Sequence, residues 1–279
     1  MEQTSLNFTT VRPVSPPAAY LGGKRQLAER ISSIIEQIPH TLYAEPFVGM
    51  GGVFFRRKLI PKCEVINDRS GDVANLFRIL QRHYQPLMDH MRFQLFSRRE
   101  FDNLAAMDPE TLTDIERAAR FLYLQRSAFA GKIVGRHFGA DLTRPARFNM
   151  KNLRGALEEV HDRLCGVTIE NLDWQDFITR YDRPGTLFYL DPPYFGNEGD
   201  YGKDAFSRDQ FTQMATRLKT IKGRFMISLN DCEGVREIFK DFQFIPVGLT
   251  YTVRGGGGKD VGEVIIMDGK SEVGNLPLG

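Results

Sequence analysis

Cysteine is scarce in this 279-residue chain. Cys63, Cys165 and Cys232 are odd in number, and no two stand close enough for a CxxC-type metal site, so they read as buried thiols in a reducing cytoplasm. The five histidines form no HExxH or comparable ligand pair, which leaves a metal mechanism without support. No stretch approaches the roughly 20 apolar residues of a membrane span. The N-terminal "MEQTSLNFTTVRPVSPPAAY" lacks the apolar run of a signal peptide and reads as a polar tail over residues 1–18.

Acidic residues are nearly missing from one segment. Between Arg117 and Arg154 stand nine lysines and arginines against Asp141 alone, a local net charge of +8 in a chain whose total is +2. Phe121, Tyr123, Phe129, Phe138 and Phe148 are interleaved with them. A solvated helical surface is the plain alternative, but the lack of acids favours a face built to meet nucleic acid.

What is present is an ordinary globular composition, 42% hydrophobic and 26% charged. Strand candidates fall at 41–47, 62–68, 165–172, 186–190, 223–230, 241–253 and 261–268. Helix-period segments between them include "GKRQLAERISSIIEQI", "NLRGALEEVHDRL" and a run after Ser207 that opens with a capping-box pattern. The alternation predicts an α/β domain with a mainly parallel sheet. "RGGGGKD" between the last two strands predicts a closing antiparallel hairpin. Residues 77–155 interrupt the alternation with helical, basic sequence. The expected layout is thus a core of 19–76 and 156–279 with an insertion at 77–155.

Two motifs carry chemistry. "EPFVGMGGVFF", 45–55, follows a strand, and its glycines permit a tight turn and close backbone approach to a ligand. Asp68 ends the next strand, 19 positions after Gly49, where an acid holds a ribose hydroxyl pair. The loop departs from GxGxxG and no Walker lysine follows, so a nucleoside without a diphosphate fits, S-adenosylmethionine first. The second motif is "TLFYLDPPYFGN", 186–197. Two prolines stop a sheet ladder, leaving Asp191 and Tyr194 at a strand's end. The Asp191 carboxylate and Pro192 carbonyl are two acceptors for the two hydrogens of an exocyclic amine. Accepting them pushes the nitrogen toward tetrahedral geometry and frees its lone pair for in-line attack on a sulfonium methyl, with Tyr194 stacked on the base. A base inside a duplex reaches such a site only when flipped out.

With these residues in view, the chain resembles the Dam-type (D12 class) DNA adenine-N6 methyltransferases, which share the order cofactor motif, target-recognition insertion, DPPY. "YLGGK" (20–24), "EPFVGMGG", "IND" and "DPPY" carry the likeness; "SLND" and "GEVIIMD" add weaker late-strand matches. It implies a Rossmann-like S-adenosylmethionine-dependent methyltransferase fold with a helical target-recognition insertion, acting on DNA. It implies that Tyr20, Lys24, Asp68 and Asp191 line the cofactor site, with Glu45, Phe47 and Gly49 of the glycine loop, and that Asp173 and Trp174 lie near the cofactor's adenine. Arg126, Lys132, Arg136, Arg144 and Arg147 are the candidates for DNA contact. Tyr20 stands where the family often has Trp, and the insertion lacks the FNxPxG-like segment of members that read GATC, which leaves the target sequence and any restriction partner open. The rival acceptors are cytosine N4, an RNA base or a glutamine amide; a catalytically inactive DNA-binding module is the rival of another class.

Overall fold

The computed structural model describes residues 8–20, 24, 27–133, 135–139, 146–198, 206–247 and 262–269. A short antiparallel pair joins β1 (Thr9–Thr10) to β3 (Leu59–Ile60). The other strands are β2 (Leu42–Glu45), β4 (Cys63–Asn67), β5 (Thr168–Glu170), β6 (Thr186–Leu190), β7 (Arg224–Asn230), β8 (Gln243–Val247) and β9 (Glu263–Met267). They form one seven-stranded sheet in the order β5-β4-β2-β6-β7-β9-β8. The first five positions are parallel, and β9 lies antiparallel between β7 and β8. The predicted parallel sheet with an antiparallel end is therefore present; the "RGGGGKD" connection lies outside the described residues.

This order creates the site. From β2 the chain steps outward to β4 and β5, then returns to the other side of β2 as β6. A crevice opens at the carboxyl ends of β2 and β6, where the strand order reverses. The Glu45 loop leaves β2 there, and Asp191 follows β6 at the same end. β6 is buried at every position, as a central parallel strand covered on both faces must be.

Helices α1 (Ala28–Gln37), α2 (Gly71–Arg82), α3 (Tyr84–Met91), α4 (Arg98–Ala106), α5 (Asp114–Ser127) and α6 (Met150–Leu164) share one apolar cluster with one face of the sheet. Helices α7 (Trp174–Tyr181), α8 (Asp209–Leu218) and α9 (Glu233–Ile238) cover the other face in a second cluster. The helical, basic segment does not form a core of its own: Phe121, Leu122 and Leu124 of α5 belong to the same cluster as Ile31 and Ile34 of α1. Arg163 of α6 also reaches Glu64 of β4 through two buried hydrogen bonds of 2.7 and 2.8 Å.

Several expectations need correction. The boundaries at 77 and 155 fall inside α2 and α6, because both helices run on without interruption where charge and pattern change. The N-terminal tail is not free from residue 9 on: Val14 and Ala18 are buried, and the Val11 and Val14 amides donate to Lys58 and Phe55 carbonyls at 2.8 Å. Residues 1–7 lie outside the described residues. The Ser207 capping box does not form; α8 starts at Asp209, and the Ser207 hydroxyl bonds the Asp209 carboxylate instead of a backbone amide. The capping box that does form, Thr113 with Glu116, opens α5. Nor are the cysteines buried, since Cys63 and Cys165 are exposed and Cys232 is half-buried. Among the described residues no helix is long and apolar enough to cross a membrane.

Candidate active site

The glycine loop after β2 turns through two left-handed positions, Gly49 at φ +51° and Gly51 at φ +73°. Both glycines are required: a side-chain carbon on Gly49 would meet the Tyr20 ring at 2.9 Å, and one on Gly51 would overlap the Phe55 ring. Tyr20 thus packs directly against the loop, which accounts for an aromatic in "YLGGK". The carboxylate of Asp68 holds the other side. Its oxygens accept the Gly49 and Ser70 amides, each at 2.8 Å, tying the loop to the end of β4. Burial pushes this carboxyl up to about 6, against the two hydrogen bonds that favour its charged form.

These groups enclose a cavity of about 440 Å³, in the range of small-molecule sites. Tyr20, Lys24, Glu45, Phe47, Gly49, Asp68 and Asp191 all line it. Seven residues far apart in sequence therefore meet at one cavity. Val48, Met50, Val53 and Phe206 supply apolar wall, and Ile133 comes in from the basic segment. None of these five was singled out from sequence, since an apolar residue lining a cavity carries the same signal as one in the core.

The DPPY end of the cavity is charged and largely buried. Lys24 Nζ lies 3.0 Å from Asp191 Oδ1 and 2.7 Å from the Tyr194 hydroxyl. The Ser228 hydroxyl donates to the same Asp191 oxygen at 3.1 Å and meets the Tyr189 hydroxyl at 2.9 Å. Burial raises the Asp191 carboxyl above its ordinary value, opposed chiefly by the Lys24 charge. Glu45, 2% exposed, accepts the Tyr43 hydroxyl at 2.7 Å, yet desolvation still pushes it up to about 8. Just beyond the tetrapeptide, the Asn230 side chain accepts the Phe195 amide at 2.9 Å and donates to the Phe195 carbonyl at 3.0 Å. Asn230 therefore pins the loop rather than capping α9, whose cap residue is Cys232.

Asp173 and Trp174 do not line this cavity. Asp173 is the N-cap of α7, accepting the Gln175 amide at 2.9 Å, and the buried Trp174 indole donates to Gln210 at 3.0 Å. A strand end followed by a helix needs a cap, and that local demand uses the carboxylate.

The basic candidates differ in their partners more than in burial: Arg136 donates to the Gln125 side chain at 3.3 Å and Arg147 to the Ala128 carbonyl at 3.2 Å. Arg126 is an internal strut: it donates to the Pro17 carbonyl at 2.6 Å, and desolvation lowers its pKa. Arg117 pairs with Asp72 and Glu110, and Arg120 bonds the Leu104 carbonyl, so part of the +8 segment is used inside the fold. Lys132 is exposed, while Arg136 and Arg147 are half-buried. Arg147 lies 5.7 Å over Phe129, an aromatic that is 59% exposed. Phe121, Tyr123 and Phe148 are core residues instead. Ala128 pairs with Phe138 across a short turn, and Gly131 within it packs on the Ala19–Tyr20 backbone. That segment brings Ile133 to the cavity wall. Arg144 lies outside the described residues, and no metal-ligand cluster occurs among those described.

Comparison with known proteins adds independent information. Residues 20–253 match a family described as D12 class N6 adenine-specific DNA methyltransferase. The type II methyltransferase M.CviBI of Paramecium bursaria Chlorella virus NC1A is 23% identical, over 82% of this chain and 88% of its own. M1.LlaDCHI, a type II methyltransferase of Lactococcus lactis subsp. cremoris, is 26% identical over 85% and 88%. The DNA N-6-adenine-methyltransferase of Escherichia phage P1 is 25% identical, over 85% of this chain and 33% of its own.

Proposed function

Because the chain belongs to the D12 class N6 adenine-specific DNA methyltransferase family, and is thus an enzyme that methylates adenine N6 in DNA, we propose that S-adenosylmethionine is its methyl donor and that the cavity between Tyr20 and Asp191 holds it. One observation carries this reading. A cavity of about 440 Å³ runs from a glycine turn at one sheet crevice to the Asp191 carboxylate.

The residues fit that donor. Gly49 and Gly51 let the backbone approach closely, Asp68 would hold the ribose, and Phe47, Val48 and Phe206 would give apolar surface to the adenine. The Asp68 and Asp191 carboxylates in the cavity wall offer negative charge to a ligand carrying an ammonium and a sulfonium, while Glu45, raised to about 8, is largely protonated at neutral pH. Bound there, S-adenosylmethionine supplies an electrophilic methyl group.

The chain's own residues do the rest. Both protein contacts to Asp191 fall on Oδ1, so Oδ2 is the atom for an incoming amine hydrogen, with the Pro192 carbonyl as the second acceptor. Lys24 favours the ionised, hydrogen-bond-accepting form of Asp191 against the penalty of burial. The low dielectric of the site strengthens these contacts where charge develops on the amine. Tyr194, held by its hydroxyl, presents its ring to the flipped base. Lys132, Arg136 and Arg147, with Phe129, form the DNA-facing edge, and phosphate contacts there make affinity salt-dependent. The same reading expects the enzyme in the cytoplasm, with its DNA.

The test is methylation of genomic DNA by purified protein with labelled S-adenosylmethionine, followed by hydrolysis to nucleosides. N6-methyladenine is expected, and mapping it supplies the recognition sequence. N4-methylcytosine would move the acceptor, and cofactor binding without a DNA product would overturn the reading.

A further inference from the structure

We propose that Glu263 is a positioning residue for methyl transfer, holding the Tyr194 phenol and the Lys24 ammonium so that the aromatic ring and the Asp191 carboxylate stand correctly toward the target base. The inference rests on the reading of Asp191 and Tyr194 as the groups that meet that base.

Glu263 opens β9, a strand buried at all five positions, and is itself 2% exposed. A carboxylate in such a strand is costly unless charge and hydrogen bonds meet it. Here they come from the active site. Glu263 accepts the Tyr194 hydroxyl, and its other oxygen is 3.7 Å from Lys24 Nζ. Lys24 in turn contacts Tyr194 and Asp191 at 2.7 and 3.0 Å. Glu263 does not line the cavity, so it acts through these neighbours.

The sheet register makes this a two-point clamp. Asn230 of β7 and Glu263 of β9 are direct cross-strand partners. Asn230 holds the backbone of Phe195, and Glu263 holds the side chain of Tyr194. One rung of the antiparallel pair thus grips two consecutive residues of the catalytic loop. A glutamate at the head of an otherwise apolar strand, "EVIIM", is the sequence trace of this role.

The test compares wild type, Glu263→Ala, Glu263→Gln, Tyr194→Phe and the double variants in single-turnover methyl transfer to DNA, with S-adenosylmethionine and DNA affinities measured alongside. Glu263→Ala is expected to slow transfer roughly 10- to 100-fold, the scale of a small misplacement, with both affinities within about threefold. Glu263→Gln keeps an acceptor for the phenol and recovers most of the rate. In the Tyr194→Phe background, which lacks the hydroxyl, either Glu263 substitution is expected to cost little more. Equal losses in both backgrounds, or a Glu263→Ala rate within about twofold of wild type, would overturn the proposal. Should Glu263→Ala fail to fold, Glu263→Met, which is close in volume and has no oxygen acceptor, measured in the two backgrounds decides by the same criterion. Failure of wild type to methylate DNA would instead overturn the reading of the site.

Discussion

Replacing Asn230 with alanine removes the two hydrogen bonds that its side chain makes to the backbone of Phe195. Each such bond contributes about 0.5–1.5 kcal/mol net, so the loop after Pro193 loses about 1–3 kcal/mol of anchoring. The Phe195 ring still packs on Phe211 at 5.3 Å and lies under Arg208 at 4.6 Å. Folding should therefore survive, with a melting temperature lowered by only a few degrees. Catalysis is more exposed to the change, because Tyr194 and the Pro192 carbonyl sit in the loosened segment. A displacement near 1 Å at reacting groups costs on the order of 100-fold in rate, and partial occupancy of the correct geometry costs less. Asn230→Ala is thus expected to slow single-turnover transfer by about 10- to 100-fold, with S-adenosylmethionine affinity nearly unchanged, since Asn230 does not line the cavity. Asn230→Asp, which keeps an acceptor for the Phe195 amide but loses the donor, should fall between. A transfer rate within about twofold of wild type in a folded Asn230→Ala protein would refute the argument. So would a parallel loss of cofactor binding, which would place Asn230 in the cofactor site.

Other expectations follow from the same geometry. Gly51→Ala should destabilise the protein by a few kcal/mol and abolish cofactor binding, since it combines a left-handed backbone with overlap on Phe55; a thermal melt with and without S-adenosylmethionine checks this. Burial moves the Glu45 carboxyl from its ordinary 4.5 to about 8, so the folded protein holds a proton that the unfolded chain releases. That contribution is fully present below about 4.5 and is lost as pH rises to about 8; Glu45→Gln should gain stability relative to wild type across that window in denaturant titrations, and a constant difference would refute it. A ligand ammonium beside Glu45, Asp68 and Asp191 should bind more tightly as pH rises from about 6 to 8, measurable by calorimetry with proton release. Lys132→Ala and Arg147→Ala should weaken DNA binding and lower its salt slope by about one each. Arg126→Ala should instead lower the melting temperature and leave the slope alone, because its guanidinium is committed to Pro17.

The strand-and-helix alternation, the glycine turn, the acid ending the next strand and the Asp-Pro-Pro-Tyr stop are all legible in the local sequence. Each is a local demand. Gly49 and Gly51 follow from left-handed backbone, the double proline from the end of a ladder, and Ile31, Ile34 and Ile35 from helical period. The local pattern also carried the antiparallel sheet end, and the family resemblance pointed to seven residues that line the cavity. Only the tertiary structure decided how charge is spent. Nine bases in one stretch look alike in sequence, yet Arg117, Arg120 and Arg126 are drawn inward to acids and carbonyls that lie up to 109 positions away. Asp173 went to a helix cap rather than to the cavity for the same reason: its nearest amides are local and its distant partners are not. The clamp on the catalytic loop is the extreme case. Tyr194 and Glu263 are 69 positions apart and meet only because β9 runs antiparallel beside β7. Sheet order and register, which no local pattern encodes, put the carboxylate there.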